Sequence, residues 1–154
     1  MPDRSKPLKP LPDIVYDDGE SESLATWWTT YTREGAGRTN YGFLMVPNLF
    51  FRSTMGVGPQ AWHVLMVLMS WMLRTDPGRA LRRKGGIRIS NIMEWTEYSR
   101  STVMRALERL EEVGYLNIHS TNGEAHQYQI DIARVVRTAE ALLDYREEES
   151  DPPQ

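Results

Sequence analysis

The stretch that decides the fold runs from Ile87 to Ile132 and reads IRISNIMEWTEYSRSTVMRALERLEEVGYLNIHSTNGEAHQYQIDI. The alternation at residues 87–89 predicts a short strand. Ser90 is a favourable N-cap for a short helix over residues 91–95, and a longer helix is predicted over residues 99–113. A two-stranded hairpin follows. This order of elements predicts a mainly α fold with a small β-sheet (α+β).

The longer helix has two different faces. Its apolar residues fall on one side of a helical wheel and its polar residues on the other. The apolar set is Val103, Ala106, Leu107, Leu110 and Val113, and the polar set is Ser101, Arg105, Glu108 and Glu112. Ser99 is a typical N-cap, and Gly114 suits the left-handed conformation that ends many helices. The outer face therefore begins basic and ends acidic.

This charge gradient predicts that the helix enters the major groove of DNA by its N-terminal end. The helix dipole favours anions there, and the carboxylates at the other end stay clear of the phosphates. We expect Arg105 to reach a base edge, because a guanidinium can pair bidentately with guanine. Arg100, Ser101 and Thr102 are expected to contact phosphates or to make partial base contacts, and Ser99 belongs to the same DNA-binding set.

The register of the hairpin follows from the parity of its apolar residues. Leu116, Ile118, Tyr128 and Ile130 share one face only if even positions lie opposite even positions. Ile118 is therefore predicted to lie opposite Tyr128. This pairing requires a three-residue loop at residues 122–124.

The polar face and the tip of the hairpin are secondary candidates for DNA contact. His119, Thr121 and Asn122 are placed to reach a phosphate or the minor groove, but residues 120–123 include no Arg or Lys. We therefore expect a modest contribution, and an ordinary surface hairpin is the alternative. His119 and His126 project from opposite faces in this register, so no metal site is predicted.

A basic segment precedes the decisive stretch. Gly58-Pro59 begins a strongly apolar helix predicted over residues 59–74. The cations that follow it, four in a predicted loop and one in the predicted strand, are Arg79, Arg82, Arg83, Lys84 and Arg88. They either face DNA phosphates beside the groove or belong to a solvated connection.

The two ends of the chain are predicted to lie outside the main domain, which spans residues 23–146. Residues 1–22 are acidic and Pro-rich and are predicted to form a flexible tail, and residues 147–154 an acidic disordered tail. Amphipathic helices over residues 24–32 and 133–147 flank the domain. Together with the apolar helix above, they either cover their own core or pair with a second subunit. A homodimer would present two copies of the helix over residues 99–113 to a palindromic site.

The charge of the chain is unevenly distributed. The 154 residues carry a formal net charge of −3, but residues 1–23 carry −3, residues 24–109 carry +7 and residues 110–154 carry −7. Affinity for DNA depends on local positive charge near phosphates, so the middle segment matters more than the total.

Several classes of function are not favoured by the sequence. The absence of Cys and of any apolar run long enough to cross a bilayer predicts a cytoplasmic, nucleoid-associated protein. We find no nucleophile–base pair, no phosphate-binding P-loop and no cluster of metal ligands. The sequence therefore predicts no enzyme and no cofactor.

The segment ISNIMEWTEYSRSTVMRALERLEEVGYLNI resembles the winged helix-turn-helix of MarR-like and GntR-like regulators. Ser99 through Leu110, then Gly114, follow the recognition-helix pattern of those families. Together with YGFLMVPNLFFRS and AWHVLMVLMSWM, the chain is similar overall to the N-terminal domain of phage and plasmid replication initiators. The resemblance implies a winged helix-turn-helix with extra N- and C-terminal helices. It also implies duplex binding through Arg100, Ser101, Thr102 and Arg105.

Two functions of different classes follow from these observations. The first is a sequence-specific double-stranded DNA-binding protein, acting as a transcriptional regulator or in replication or plasmid maintenance. The alternative is a winged-helix module or assembly adaptor that binds a protein partner without specific DNA binding. The acidic ends and the many Trp and Met residues favour this alternative.

Overall fold

The computed structural model describes residues 3–32, 49–72, 78–80, 86–120 and 125–150, and their side chains except those of 29–32, 49, 51 and 146–150. The helices and strands of these residues are β1 (Ile14–Val15), β2 (Ser21–Glu22), α1 (Leu24–Thr32), α2 (Leu49–Arg52), α3 (Pro59–Ser70), β3 (Arg79–Ala80), β4 (Ile87–Arg88), α4 (Ile89–Thr96), α5 (Arg100–Glu112), β5 (Leu116–Ser120), β6 (Ala125–Ile130) and α6 (Ile132–Ser150). Helices packed with small antiparallel sheets make the fold α+β, as predicted.

Helices α3, α4 and α5 pack against one another at the centre of the fold. Six residues of helix α3 are buried, and its Val64, Leu65 and Leu68 are completely so. It begins at Pro59, whose fixed φ suits the first helical position. The apolar character of α3 on most of its sides is explained by contacts within this chain.

Helix α3 ends at Ser70, earlier than the predicted end at residue 74. Trp71 is its C-cap residue, and Met72 already forms an isolated antiparallel bridge with Ala80. The helix thus ends where backbone groups can form hydrogen bonds with the sheet instead. Helical periodicity does not predict this end, because the sheet residue that pairs with Met72 lies outside the helix.

Strand β6 is the centre of the larger sheet. Strand β5 pairs antiparallel with one of its edges, and β3 and β4 pair with the other edge. Ile118 lies opposite Tyr128 and Leu116 opposite Ile130, so the register predicted from parity is confirmed. The predicted third strand is also confirmed at Ile87 and Arg88, although the next residue already belongs to α4.

The flanking helices pack against the core of their own chain. Helix α1 has the predicted bounds, and its Leu24 and Trp28 are buried. Val135, Val136 and Ala139 of α6 are buried as well. These apolar faces are thus covered within the chain, whereas Leu143 and Tyr145 on the far half of α6 are exposed.

The C-terminal helix extends beyond its predicted end. Helix α6 continues to Ser150, so residues 147–150 are helical and not part of a disordered tail. Glutamate has a high helix propensity, and residues 147–149 are all Glu, which explains the continuation. Residues 151–154 lie outside the described residues.

The prediction of a flexible tail over residues 1–22 also needs correction. Strands β1 and β2 form a small antiparallel hairpin in which Ile14 is buried, and Leu11 packs against the core. Residues 3–11, which we call the N-terminal strap, bind the larger sheet: Ser120 N–H donates to the Arg4 carbonyl (2.9 Å), and the Gln129 side chain donates to the Lys9 carbonyl (2.7 Å). Local composition missed the strap because its contacts with the sheet join residues far apart in sequence.

Candidate nucleic-acid interface

Helices α4 and α5 are joined by a tight turn. Helix α4 begins after Arg88, whose backbone N–H donates to the Asn91 side chain (3.0 Å), so Ser90 lies inside the helix and is not the cap. Glu97 adopts a left-handed conformation (φ 60°) and donates its backbone N–H to the Met93 carbonyl (2.8 Å). A non-glycine residue in this conformation marks a sharp change in chain direction. The turn therefore fixes where α5 starts.

Ser99 caps α5, as predicted. Its hydroxyl oxygen accepts the backbone N–H of Thr102 (3.3 Å) and also bonds the Thr102 hydroxyl (2.9 Å). Thr102 is half-buried, so its side chain supports the cap. Arg100 and Ser101 are exposed in the first turn, where free backbone N–H groups and the helix dipole attract anions.

The two faces of α5 lie as the wheel predicts. Val103, Ala106, Leu107 and Leu110 are buried, whereas Ser101 and Arg105 are exposed. The Arg105 Nε donates to the Ser101 carbonyl (3.4 Å), which draws the guanidinium back toward the N-terminal end of the helix. Arg100 and Arg105 are thus both exposed on the N-terminal half of α5.

Two of the acidic residues at the other end of α5 are paired with cations. Arg109 contacts Glu112 (3.4 Å) and donates to the Gly56 carbonyl (3.2 Å). Glu111 forms a bidentate ion pair with Arg4 of the strap and retains only 3% of its side-chain exposure. Gly114 has φ +82° and ends the helix in the predicted left-handed conformation. Local pairing therefore limits the negative field that reaches the N-terminal half.

The basic residues before α4 do not lie where the sequence predicted. Arg79 belongs to strand β3 opposite Gln129, and is half-buried instead of lying in a loop. Residues opposite each other share a face, and Gln129 lies on the face that the strap crosses. Strand pairing thus removes Arg79 from the surface that carries Arg105. Arg82, Arg83 and Lys84 lie outside the described residues, and Arg88 is exposed where β4 meets α4.

The candidates on the hairpin are only partly available for DNA. His119 is half-buried, and its Nδ1 lies 3.1 Å from the Arg4 carbonyl. Gln129, which lies on the same face of the hairpin as His119, is 5% exposed because the strap covers it. Thr121 and Asn122 lie outside the described residues. The strap therefore changes which hairpin groups face solvent.

Two residues near α5 were missed by sequence reasoning. His126 of β6 borders a cavity of about 280 Å³ between α5 and the sheet, which Arg4, Arg100 and Glu108 also line. Burial, then the nearby Arg4 and Arg100, lower the pKa of His126 below its ordinary value. Ser120 Oγ lies 2.9 Å from His126 Nδ1. No local signal identifies Arg4, which lies 107 residues from its partner.

Comparison of the chain with protein-family models, curated proteins and solved structures found no match to any of the three. Among the described residues, no group of three or more His, Cys, Asp or Glu could hold a metal ion. No helix of the described part of the chain has the length and apolar character needed to cross a membrane.

Proposed function

We propose that this chain is a sequence-specific double-stranded DNA-binding protein with a winged helix-turn-helix fold. It inserts α5 into the major groove with its N-terminal end first. The observation that carries the proposal is the pair Arg100 and Arg105, both exposed on the N-terminal half of α5, the helix that Ser99 caps. A transcriptional regulator and a replication or plasmid-maintenance factor both fit this role.

The individual side chains have different roles in this proposal. Arg105 reads a base edge, preferably guanine O6 and N7, because its Nε–Ser101 contact orients the guanidinium along the outer face. Arg100 and Ser101 hold phosphates, and Arg88 holds a further phosphate at the start of α4. Thr102 is half-buried and acts through the cap instead of through DNA.

Selection of bound duplexes from a random pool tests the proposal. We expect enrichment of a common sequence, and we expect Arg105→Ala to lose about 1–3 kcal/mol of discrimination between that sequence and a scrambled one. Arg100→Ala should weaken both duplexes alike and reduce the slope of log K against log [salt] by about 0.9. Arg137→Ala, which removes an exposed arginine from α6, is the matched control. Failure to enrich any sequence would contradict the proposal.

A homodimer remains part of the proposal. Leu143 and Tyr145 are 39% and 58% exposed on the far half of α6, and they offer an apolar surface for a second copy. Sedimentation with and without the selected duplex tests this. A monomer that binds a single half-site under both conditions would argue against it.

The alternative function is a protein-interaction module, and one observation favours it. Trp95 of α4 is 63% exposed, a large apolar side chain of the kind that anchors protein interfaces. If binding to every duplex is weak and unaffected by Arg100→Ala and Arg105→Ala, this alternative replaces the DNA-binding proposal.

A further inference from the structure

The N-terminal strap brings a cation to the hairpin whose tip has none. The Arg4 carbonyl accepts the N–H of Ser120, the last residue of β5. The same carbonyl lies 3.1 Å from His119 Nδ1. Two contacts therefore fix the backbone of residue 4 at the outer edge of β5.

The side chain of Arg4 turns from this edge toward α5. Its Nε donates to Glu111 Oε2 (3.2 Å), and its Nη2 donates to Glu111 Oε1. A guanidinium has five N–H donors, and these two bonds leave three of them for another acceptor. The Arg4 side chain keeps 30% of its exposure, whereas Glu111 keeps 3%. The ion pair thus anchors Arg4 while its side chain stays partly exposed.

The Arg4 side chain borders a cleft between α5 and the sheet. Arg4, Arg100 and His126 line this cavity of about 280 Å³, and Glu108 is the acidic residue on its wall. Met104, which is 41% exposed, adds an apolar contact of the kind a sugar ring accepts. Two guanidinium groups from distant parts of the chain therefore converge on one cavity.

We propose that this cleft, which we call the strap cleft, holds a phosphate of the DNA backbone between Arg4 and Arg100. The inference rests on the proposed function. Phosphate contacts position a helix in the major groove, and Arg4 and Arg100 both line the flank of α5 that lies next to the sheet. Arg4 then replaces the cation that the hairpin tip lacks.

A pair of variants separates phosphate binding from a purely structural role. Arg4→Gln and Glu111→Gln break the same ion pair. Arg4→Gln removes the cation, whereas Glu111→Gln keeps Arg4 and releases it from its carboxylate. The probe is a short fluorescein-labelled duplex of mixed sequence, titrated with the full chain between about 50 and 200 mM KCl. Circular dichroism of each variant reports on folding.

We expect Arg4→Gln to reduce the slope of log K against log [salt] by about 0.9, and the affinity near 0.1 M salt by about eightfold. Glu111→Gln should retain the wild-type slope and bind at least as tightly. If Arg4→Gln does not fold, the double variant Arg4→Gln/Glu111→Gln leaves no carboxylate unpaired and is compared with Glu111→Gln instead.

Equal losses in Arg4→Gln and Glu111→Gln would assign Arg4 a structural role and overturn the inference. So would an unchanged slope in Arg4→Gln. In both cases Arg100→Ala and Arg105→Ala still report on the proposed function. Failure of the strap-cleft inference is therefore distinguishable from failure of the DNA-binding proposal. A wild-type chain that binds no duplex would overturn both.

Discussion

Arg4 and Glu111 form a bidentate ion pair across 107 residues of sequence, and the Glu111 side chain is 3% exposed. The pair joins the strap to α5, and the Arg4 carbonyl joins the same strap to β5. Arg4 therefore holds three parts of the candidate interface together: the strap, α5 and β5.

Arg4→Gln should lower the free energy of unfolding by about 1–3 kcal/mol, because it leaves a nearly buried carboxylate without its cation. Urea denaturation measures this change. Glu111→Gln in the same background should recover part of the loss, as expected for coupled partners. Lys9→Gln, an exposed cation of the same strap, is the control and should change stability by less than about 0.5 kcal/mol. Additive effects of the two substitutions would contradict a coupled pair.

Two buried tyrosines should respond in opposite ways to loss of the hydroxyl group. Tyr128 is completely buried, and its hydroxyl has no hydrogen-bond partner among the described residues, whereas the Tyr115 hydroxyl donates to the Met55 carbonyl (3.1 Å). Tyr128→Phe should leave stability unchanged or raise it by about 1 kcal/mol, and Tyr115→Phe should lower it by about 1 kcal/mol. Thermal or urea unfolding compares the two variants. Equal destabilisation by both would show that Tyr128 has a partner in solution.

The cap of α5 can be tested with two serines. Ser99→Ala should lower the free energy of unfolding by about 1 kcal/mol, because the Thr102 N–H loses its acceptor. Ser99→Asp should retain most of the stability, since an aspartate oxygen also accepts at this position. Ser90→Ala is the control, because Ser90 is exposed inside α4 and does not cap it, and a gain in helix propensity is expected there. A larger loss of unfolding free energy in Ser90→Ala than in Ser99→Ala would indicate that Ser90 does cap α4.

His126 should make stability depend on pH between neutral and mildly acidic conditions. The groups that face it are Arg4, Arg100, Glu108, Glu111 and the Ser120 hydroxyl. Burial and the two arginines hold the pKa of His126 in the folded state below its value in the unfolded chain. The unfolded state therefore binds a proton more readily, so this stability is complete above the unfolded pKa and is lost as pH falls toward the folded pKa.

Urea unfolding between about pH 7.5 and 5.5 measures this dependence around the ordinary histidine pKa. His126→Gln should reduce the loss of stability at the acidic end. His63→Gln, whose ring lies exposed against Tyr98, is the control and should leave the wild-type dependence in place. If His126→Gln keeps the full dependence, the responsible group lies elsewhere.

The parts of the fold that the sequence predicted are those governed by local chemistry. The Ser99 cap, the apolar face of α5 and the left-handed Gly114 each depend on residues within a few positions of one another. The hairpin register was predictable too, because only one parity places Tyr128 and its partners on the core side.

The parts that were wrong or missed depend on long-range pairing. Arg79 was assigned to a loop because a strand of two residues has no periodicity to detect, and only the edge of β6 makes it a strand. The strap was assigned to a tail because Arg4, Lys9 and Leu11 bind groups that lie more than 60 residues away. The composition of a segment indicates only how much apolar surface its own residues can bury against one another. The strap buries little in this way, so its composition resembles that of a tail.

The sequence by itself determined the cap of α5, its two faces and its gradient from basic to acidic, since a helical repeat and a cap are properties of neighbouring residues. Only the tertiary structure decided which cations stand beside α5. It placed Arg79 on the far face of the sheet and brought Arg4 to Glu111 and toward Arg100. The physical reason is that ion pairs and strand pairing depend on which residues are close in space. The order of residues along the chain does not encode that proximity.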